Sequence, residues 1–256
     1  MTEDFRIRPF SPWLWLALPG ALLLWITLFP PHGLDLALSR LFYAPGEGFE
    51  LNRAPAMLFL HRIMRIAPFA CGFAALLLAF RSLRRGGFRK KAWLSPDVRR
   101  AACLIAGMLL SVTLVKLLKS TTGVYCPVSV TAFGGGAPLL GPSWSWVDRP
   151  GHCWPSGFAG TGFCLFALYF ALRDASPRLG RLGLLAAFEI GGFCGVVQVM
   201  RGEHFLSHVL GTCLIDWLAC LAVYLIVFAP EAAALIRQGW RRRSCAGRAL
   251  RPQPRA

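Results

Sequence analysis

Six apolar runs, separated by short polar segments, make up most of this chain. They cover approximately residues 12–29, 56–80, 101–118, 156–172, 182–200 and 208–228. A helix needs about 20 residues to cross the hydrocarbon core of a bilayer, so each run approaches or reaches the length of a membrane span. The pattern therefore predicts an all-α fold, an integral membrane bundle of six transmembrane helices.

The first two runs begin in unusual ways. Arg6 and Arg8 precede the first run, as in a signal peptide, but no small-residue cleavage site follows, so we interpret this run as a retained anchor. Arg62 and Arg65 lie near the start of the second run, so we expect its helix to begin in the membrane interface. Between the two runs, residues 35–43 are expected to form a short interfacial helix.

Composition and charge support membrane insertion. Hydrophobic residues make up 55% of the chain, yet its formal net charge is +16. This combination is typical of a multispanning membrane protein, and because the basic residues lie between apolar runs, nucleic acid is excluded as a partner. We predict a single integral membrane domain over residues 1–256, whose basic tail at 229–256 is attracted to anionic lipid headgroups.

The basic residues also predict the orientation, because cytoplasmic loops are enriched in lysine and arginine. One set of loops holds most of these residues: Arg6 and Arg8, residues 81–100, residues 173–181 and the tail from Arg237 to Arg255. Both termini are therefore expected in the cytoplasm. Lys119, Ser156 and His204 then lie on the outer side, which is the periplasm if the membrane is a bacterial inner membrane.

Polar groups gather at this outer side, at the ends of four apolar runs. Lys119 ends the third run, and a lysine in that position is most often a membrane anchor. Ser156 opens the fourth run, where a serine caps a helix but also marks a possible anion site at exposed N–H groups. His204 and His208 have the spacing that places two imidazoles on one helix face, with Arg201 close by.

Two of the cysteines lie in the long outer loop rather than in an apolar run. These are Cys126 and Cys153, and we expect them to form a disulfide if the outer side is oxidising. Most of the others lie within apolar runs and are interpreted as small packing residues. Cys245, in the basic tail, is expected to be a free cytoplasmic thiol.

Taken together, these motifs resemble the type 2 phosphatidic acid phosphatase (PAP2) superfamily of membrane phosphatases. The family pattern is Lys-x6-Arg-Pro, then Pro-Ser-Gly-His, then Ser-Arg-x5-His-x3-Asp. This chain has Lys119 and Pro127 at the family spacing, followed by the sequence Pro-Ser-Gly at 155–157 and by His204. The resemblance implies a PAP2-like core at about 101–228.

The chain departs from the family pattern at four places. Cys126 stands where the family has arginine, and Phe158 replaces the histidine of Pro-Ser-Gly-His. Gln198 occupies the place of the later arginine, and His208 that of the aspartate. Arg201 follows the expected arginine by three residues, about one helical turn, so its guanidinium is expected at a similar place.

The resemblance implies a mechanism with a phosphohistidine intermediate. His204 would attack phosphorus, and His208 or Glu203 would orient its ring in place of the family aspartate. Four groups would hold the phosphate oxygens: Lys119, Arg201, Ser156 and the N–H of Gly157. The family histidine that protonates the leaving oxygen is Phe158 here, so His152 is the expected replacement acid, and a lipid diphosphate is the favoured substrate.

The resulting expectation is a lipid phosphatase or phosphotransferase that acts on phosphorylated lipid at the outer face of the inner membrane without a cofactor. The alternative is a catalytically impaired protein that binds phosphorylated lipid. A metal site formed by Glu203, His204, His208 and His152 is a weaker reading, because the ligand pattern is not recognisable. A transporter is disfavoured, since the sequence shows no pair of interrupted spans.

Overall fold

Helices form all of the regular secondary structure in the described part of the chain. The computed structural model describes residues 8–85, 95–139 and 151–229. Two isolated β-bridges occur in these ranges, Ala44 with Gly48 and Val130 with Ala137, but no strand does. The predicted all-α fold is thus confirmed for these residues. The chain termini, the segment 86–94 and Cys245 lie outside them.

Nine α-helices occur within the described ranges. They are α1 (Trp13–Leu28, which starts with a π-helical turn at Trp13–Ala17), α2 (His32–Arg40), α3 (Pro55–Ile63), α4 (Ile66–Arg85), α5 (Pro96–Thr121), α6 (Gly157–Phe163), α7 (Phe166–Leu172), α8 (Pro177–Met200) and α9 (Leu206–Val227). Short 3₁₀ turns lie at Glu50–Arg53, Pro127–Ser129 and Thr131–Phe133. The expected interfacial helix at 35–43 corresponds to α2.

Four of the described helices, α4, α5, α8 and α9, are long and apolar enough to cross a membrane. The pair α1 and α2, bent by 78°, raises this number to five if it is one span. The fourth apolar run is shorter than the others and is interrupted between α6 and α7. The chain is therefore a multi-pass membrane protein with four or five membrane-capable helices among the described residues.

The second apolar run, expected as one helix, consists of α3 and α4 with a turn at Met64 and Arg65. Pro68 lies in the first turn of α4 and explains the break. In a continuous helix the N–H of residue 68 would bond to the carbonyl of Met64, but proline has no N–H and its ring clashes there. A proline is tolerated in a first turn, so a new helix begins just before it.

Close helix contacts hold the centre of the bundle together. A Cβ atom on Gly162 of α6 would collide with the backbone of Gly191 on α8, so the two helices approach at the distance that only glycine allows. Such small-residue contacts are the usual means of packing helices in a membrane, where burial of apolar area provides little force. Large buried rings, including Phe166, Phe170 and Tyr224, fill the remaining space.

A polar network closes the bundle at the end of α9 opposite His208. The buried guanidinium of Arg173 donates to the hydroxyl of Tyr224 over 3.0 Å, and this hydroxyl donates to Asp174 over 2.7 Å. The same guanidinium lies 4.4 Å from the ring centre of Trp15 and bonds to the carbonyl of Arg8. The segment before α1 is thereby fixed to the ends of α7 and α9.

Candidate active site

Two buried histidines form the centre of the candidate site. The Nδ1 atoms of His204 and His208 lie 3.5 Å apart, and the two rings are inclined at 73°. His208 is in the first turn of α9, whereas His204 lies just before that helix. The expected proximity at i, i+4 spacing is therefore present. The Nε2 atom of His204 points away from the nitrogen that faces His208, as a nucleophile with an orienting partner requires.

A tight turn between α8 and α9 positions His204. The N–H groups of Glu203 and His204 both donate to the carbonyl of Gln198, over 3.0 and 3.2 Å. Gly202 within this turn has φ +67°, a conformation that side chains other than glycine rarely adopt. A Cβ atom there would also collide with the ring of Phe49. The glycine is thus needed both for the turn and for its packing.

Burial keeps His204 neutral. The side chain is 2% exposed, and this burial lowers its pKa well below the usual value, helped by His208, Lys119 and Arg201. A backbone hydrogen bond with Cys153 opposes the shift without reversing it. The ring is consequently an uncharged imidazole at neutral pH, which is the form that can act as a nucleophile.

Arg201 is buried and fixed by three partners. It donates from Nη1 to Oε1 of Gln198 over 3.1 Å and from Nε to the carbonyl of Asn52 over 3.2 Å. A carboxylate oxygen of Glu203 lies 3.7 Å from its remaining nitrogen. Lys119, in the last turn of α5, is half-buried and near enough to Glu203 and His204 to interact electrostatically. Two cations therefore flank His204.

Ser156 presents a buried hydroxyl with no hydrogen-bond partner among the residues that the structure describes. The residue is fully buried at the N-cap of α6, yet its side chain makes no capping bond. Its backbone N–H donates instead to Oγ1 of Thr212 on α9 over 2.8 Å. Buried polar groups without partners are rare, so this free hydroxyl suits a ligand oxygen. The adjacent Gly157 is exposed, with open space where a Cβ would be.

Cys126 and Cys153 are joined by a disulfide that touches the histidine pair. Its Cα atoms lie 5.3 Å apart, and the Sγ atom of Cys153 is 3.5 Å from Nδ1 of His204. The chain around Cys153 also follows the end of α5, because the hydroxyl of Thr122 donates to the carbonyl of Trp154 over 2.5 Å. The disulfide therefore links the segment after Lys119 to the segment before Ser156.

His152 contacts the end of α5, and Phe158 packs between α6 and α8. The exposed ring of His152 places Nδ1 3.2 Å from the carbonyl of Lys119. The buried ring of Phe158 packs in an apolar cluster with Cys194 and Val197, against Met57 and other side chains. The place of the family histidine is therefore used for packing between α6 and α8.

The four residues considered from the sequence as metal ligands do not form one group in the structure. Within the described ranges, the one group of three potential ligands comprises Cys153, His204 and His208, whose ligand atoms lie within 4.8 Å of one another. Glu203 and His152 are not in this group. The sulfur of Cys153 is in the disulfide and cannot be a thiolate ligand, which leaves two imidazoles.

Sequence reasoning missed Asp35 of α2. Its carboxylate accepts hydrogen bonds from the backbone N–H of Ser207 over 2.9 Å and from the Ser207 hydroxyl over 2.6 Å. A pocket beside these residues is lined by Asp35, His32, Ser207 and His208 together with apolar side chains such as Phe205. An acidic residue in the first turn of a helix is too common a signal to have indicated a partner 172 residues away.

Comparison with known proteins identifies the same part of the chain that contains the motifs. A family model described as PAP2 superfamily matches residues 100–231, slightly more than half of the chain. The matched region contains Lys119, Ser156 and His204, and it excludes α1 to α4. A search among curated proteins and a search among solved structures found no match.

Proposed function

Because the chain belongs to the PAP2 superfamily, a family of phosphatase-type membrane proteins, we propose that it removes or transfers phosphate groups of membrane lipids through a phosphohistidine at His204. The observation that carries this proposal is the pairing of buried His204 with His208 through their Nδ1 atoms, which leaves Nε2 of His204 for attack. His208 thus takes the orienting place of the family aspartate.

In the first step, the lone pair on Nε2 of His204 forms a bond to phosphorus while the bond from phosphorus to the leaving oxygen breaks. The proton on Nδ1 of His204 passes to Nδ1 of His208 over the 3.5 Å between them, a distance that shortens when substrate binds. In the second step, water attacks the phosphohistidine and releases phosphate, while the proton returns to His204. A lipid acceptor in place of water makes the same step a transfer.

The groups around His204 can stabilise the negative charge of the phosphoryl group during its transfer. Lys119 and Arg201 provide positive charge on two sides of His204, and Ser156 contributes a hydroxyl that has no other partner. The N–H of Gly157, at the start of α6, adds a donor at a positive helix end. Phosphoryl transfer depends mainly on such positioning and charge stabilisation, so these four groups are the proposed phosphate ligands.

The leaving group decides the substrate class. Phe158 cannot protonate a departing alkoxide, and the ring of His152 is engaged at the carbonyl of Lys119. A diphosphate avoids the need for a strong acid, because its leaving group is a phosphate monoester. A lipid diphosphate, such as a polyprenyl diphosphate, is therefore the proposed substrate in preference to a monoester such as a lipid A phosphate or phosphatidic acid.

We also propose the topology that the loop charges indicate. The whole chain, 1–256, forms one integral domain of six spans in a bacterial inner membrane, with both termini in the cytoplasm and the site facing the periplasm. A cysteine introduced next to Arg85 should resist an impermeant thiol reagent in intact cells and react after lysis. Labelling in intact cells would contradict this orientation.

Trapping the intermediate tests the function itself. Purified protein in detergent is quenched during turnover of a labelled polyprenyl diphosphate, and acid-labile, base-stable phosphate on the protein is measured. Wild-type protein should carry the label, whereas His204→Ala should carry none and release no phosphate. Wild-type turnover in His204→Ala would end the mechanism.

The second candidate is a protein that binds phosphorylated lipid without turnover. The packing of Phe158 in an apolar cluster favours it, because the position of the family acid is filled by a side chain that cannot titrate. Tight binding of lipid diphosphate by the wild type, weakened by Arg201→Lys but with no phosphate released from any lipid of a mono- and diphosphate panel, would support this candidate over the enzyme.

A further inference from the structure

Asp35 is a buried carboxylate at the edge of the proposed active site. Its side chain is 1% exposed, although it lies in the first turn of a short interfacial helix, α2. It belongs to none of the family motifs and lies outside the matched residues 100–231. Acidic side chains are almost never fully buried without a specific partner.

The partner of Asp35 is Ser207, the residue directly before His208. The backbone N–H of Ser207 donates to one carboxylate oxygen and its hydroxyl to the other, over 2.9 and 2.6 Å. Both oxygens accept a hydrogen bond, an arrangement that suits an ionised carboxylate. Burial raises the pKa of Asp35, while these two hydrogen bonds and the nearby His32 oppose the rise.

The carboxylate also belongs to the surroundings of His208. Asp35 and His208 line the same pocket, together with His32 and Ser207. A negative group at the N-terminal end of α9 is favoured by the helix dipole, so Asp35 fixes the first turn of the helix that carries His208.

We propose that Asp35 is a positioning residue of this site, and that it supplies from α2 the negative charge that position 208 no longer provides. The inference rests on the proposed function, in which His208 accepts the proton of His204 and becomes an imidazolium. In the family pattern an aspartate meets that positive charge directly. Here the Asp35 carboxylate would act on His208 in two ways. Its hydrogen bonds to Ser207 position the first turn of α9, and its charge acts across the pocket that both residues line.

The other charged groups around His208 make this role necessary. Lys119 from α5 and His32 from α2 both act on His208 electrostatically, His204 contacts it from the turn before α9, and Arg201 acts in turn on His204. All four are cations when protonated. Of the acidic groups on these elements and on α9, Asp97 lies at the end of α5 opposite Lys119, Asp216 lies about two turns beyond His208, and the Glu203 carboxylate is engaged with Arg201, which leaves Asp35. Apart from a backbone hydrogen bond with Cys153, a proton on His208 would otherwise meet cationic neighbours.

The test compares Asp35→Asn, which removes the charge but keeps the shape, with Ser207→Ala, which removes one hydrogen bond but keeps the charge. Phosphate release from a polyprenyl diphosphate is measured with purified protein from pH 2 to pH 9, and rates are compared at pH values where the unfolding midpoint shows both proteins to be folded. In Asp35→Asn, kcat should fall ~10-fold or more. The acidic limb of the pH profile should move to lower pH, because His208 no longer gains a proton so easily. Ser207→Ala should lower kcat without moving that limb.

A control variant on the same helix separates this effect from loss of folding. The buried hydroxyl of Ser39 has no hydrogen-bond partner within the described part of the chain, so Ser39→Ala should leave both the pH profile and kcat unchanged. An unchanged acidic limb in active Asp35→Asn would overturn the role of Asp35 and leave the phosphatase intact. A wild type that forms no phosphohistidine would overturn both. If Asp35→Asn does not fold, Asp35→Glu should retain the wild-type limb, and a shifted limb there would equally refute the proposal.

Discussion

Gln198 accepts a hydrogen bond from Arg201, one helical turn further along the chain, over 3.1 Å. Gln198 stands at the position where the family motif has an arginine. The glutamine therefore holds in place the guanidinium that has moved by one turn, and the carbonyl of Asn52 holds it from the other side. A departure from the motif is thus accompanied by a second residue that restores a cation next to His204.

Arg201→Lys should lower activity by ~10-fold or more, which corresponds to at least about 1.4 kcal/mol of transition-state stabilisation. Lysine keeps the charge but lacks the planar fork that bonds Gln198 and Asn52 while contacting phosphate. Steady-state phosphate release measures the effect. Gln198→Ala is the matched variant and should reduce activity less, because the guanidinium keeps its bond to Asn52. Equal activity of Arg201→Lys and wild type would show that Arg201 does not bind phosphate.

Thermal stability should fall as the pH decreases from about 7 towards 5. The pKa of His204 is lowered in the folded protein, so the unfolded chain takes up a proton below its ordinary value of 6.5 while the folded chain does not. Each pH unit below that value then costs about 1.4 kcal/mol until the folded pKa is reached. Unfolding midpoints in detergent measure this loss, and His204→Gln should show a smaller one.

Removing the disulfide should weaken both the fold and the site. Closing a loop of this length contributes roughly 3–4 kcal/mol in the chain-entropy model, and the bond also links the chain near Lys119 to that near Ser156. The double variant Cys126→Ser, Cys153→Ser should unfold at lower temperature and lose activity. Cys71→Ser, which removes a free thiol of α4, is the control. Finding both outer thiols free in freshly isolated membranes would rule the bond out.

Phe158→His should increase turnover of lipid monophosphates far more than turnover of diphosphates. A general acid typically contributes about 10²–10⁴-fold, and only the monoester needs it for an alkoxide leaving group. The ring leaves an apolar cluster, so folding is checked by the unfolding midpoint. Phe158→Leu, which keeps the packing apolar, should change neither rate. A wild type that already hydrolyses both classes equally fast would contradict the argument.

Asp216→Leu should raise the unfolding midpoint. Asp216 is fully buried in the middle of α9, and in the described ranges neither carboxylate oxygen has a hydrogen-bond partner. An unsatisfied buried polar group costs about 1–3 kcal/mol, and leucine branches at the same atom as aspartate but carries no polar group, so the substitution should stabilise the fold. Calorimetry in detergent measures the change. A lower midpoint in Asp216→Leu would mean that the carboxyl group has a partner, such as a bound water.

The sequence predicted the parts of the site that depend on local spacing. The spacing of four residues predicted the approach of His208 to His204, although only His208 lies in a helix and the turn before α9 positions His204. The apolar runs predicted the long helices, but not the break at Met64, although Pro68 was visible as its cause. An apolar run indicates where a helix can be buried in a membrane. The break in a helix depends instead on one residue, here a proline that lacks a backbone N–H.

Contacts between segments that are far apart in the sequence could not be predicted from local spacing. Nothing near Asp35 indicates Ser207, because the contact depends on how α2 packs against the start of α9. The same is true of His152, which is close to Phe158 along the chain but binds the carbonyl of Lys119 in space. Its positive φ, 49°, turns the chain in a direction that spacing alone does not predict.

The contact of Gly162 with Gly191 fixes the spacing between two of the proposed phosphate ligands, although neither glycine is one of them. Ser156 is at the beginning of α6 and Arg201 at the end of α8, so the two helices run in opposite directions and carry both groups to the same end of the bundle. A methyl group at either glycine would push the helix axes apart and widen the gap between hydroxyl and guanidinium. Since a displacement of about 1 Å can cost roughly 10²-fold in rate, the proposed reaction would depend on a backbone contact made within the helix bundle and away from the reacting atoms.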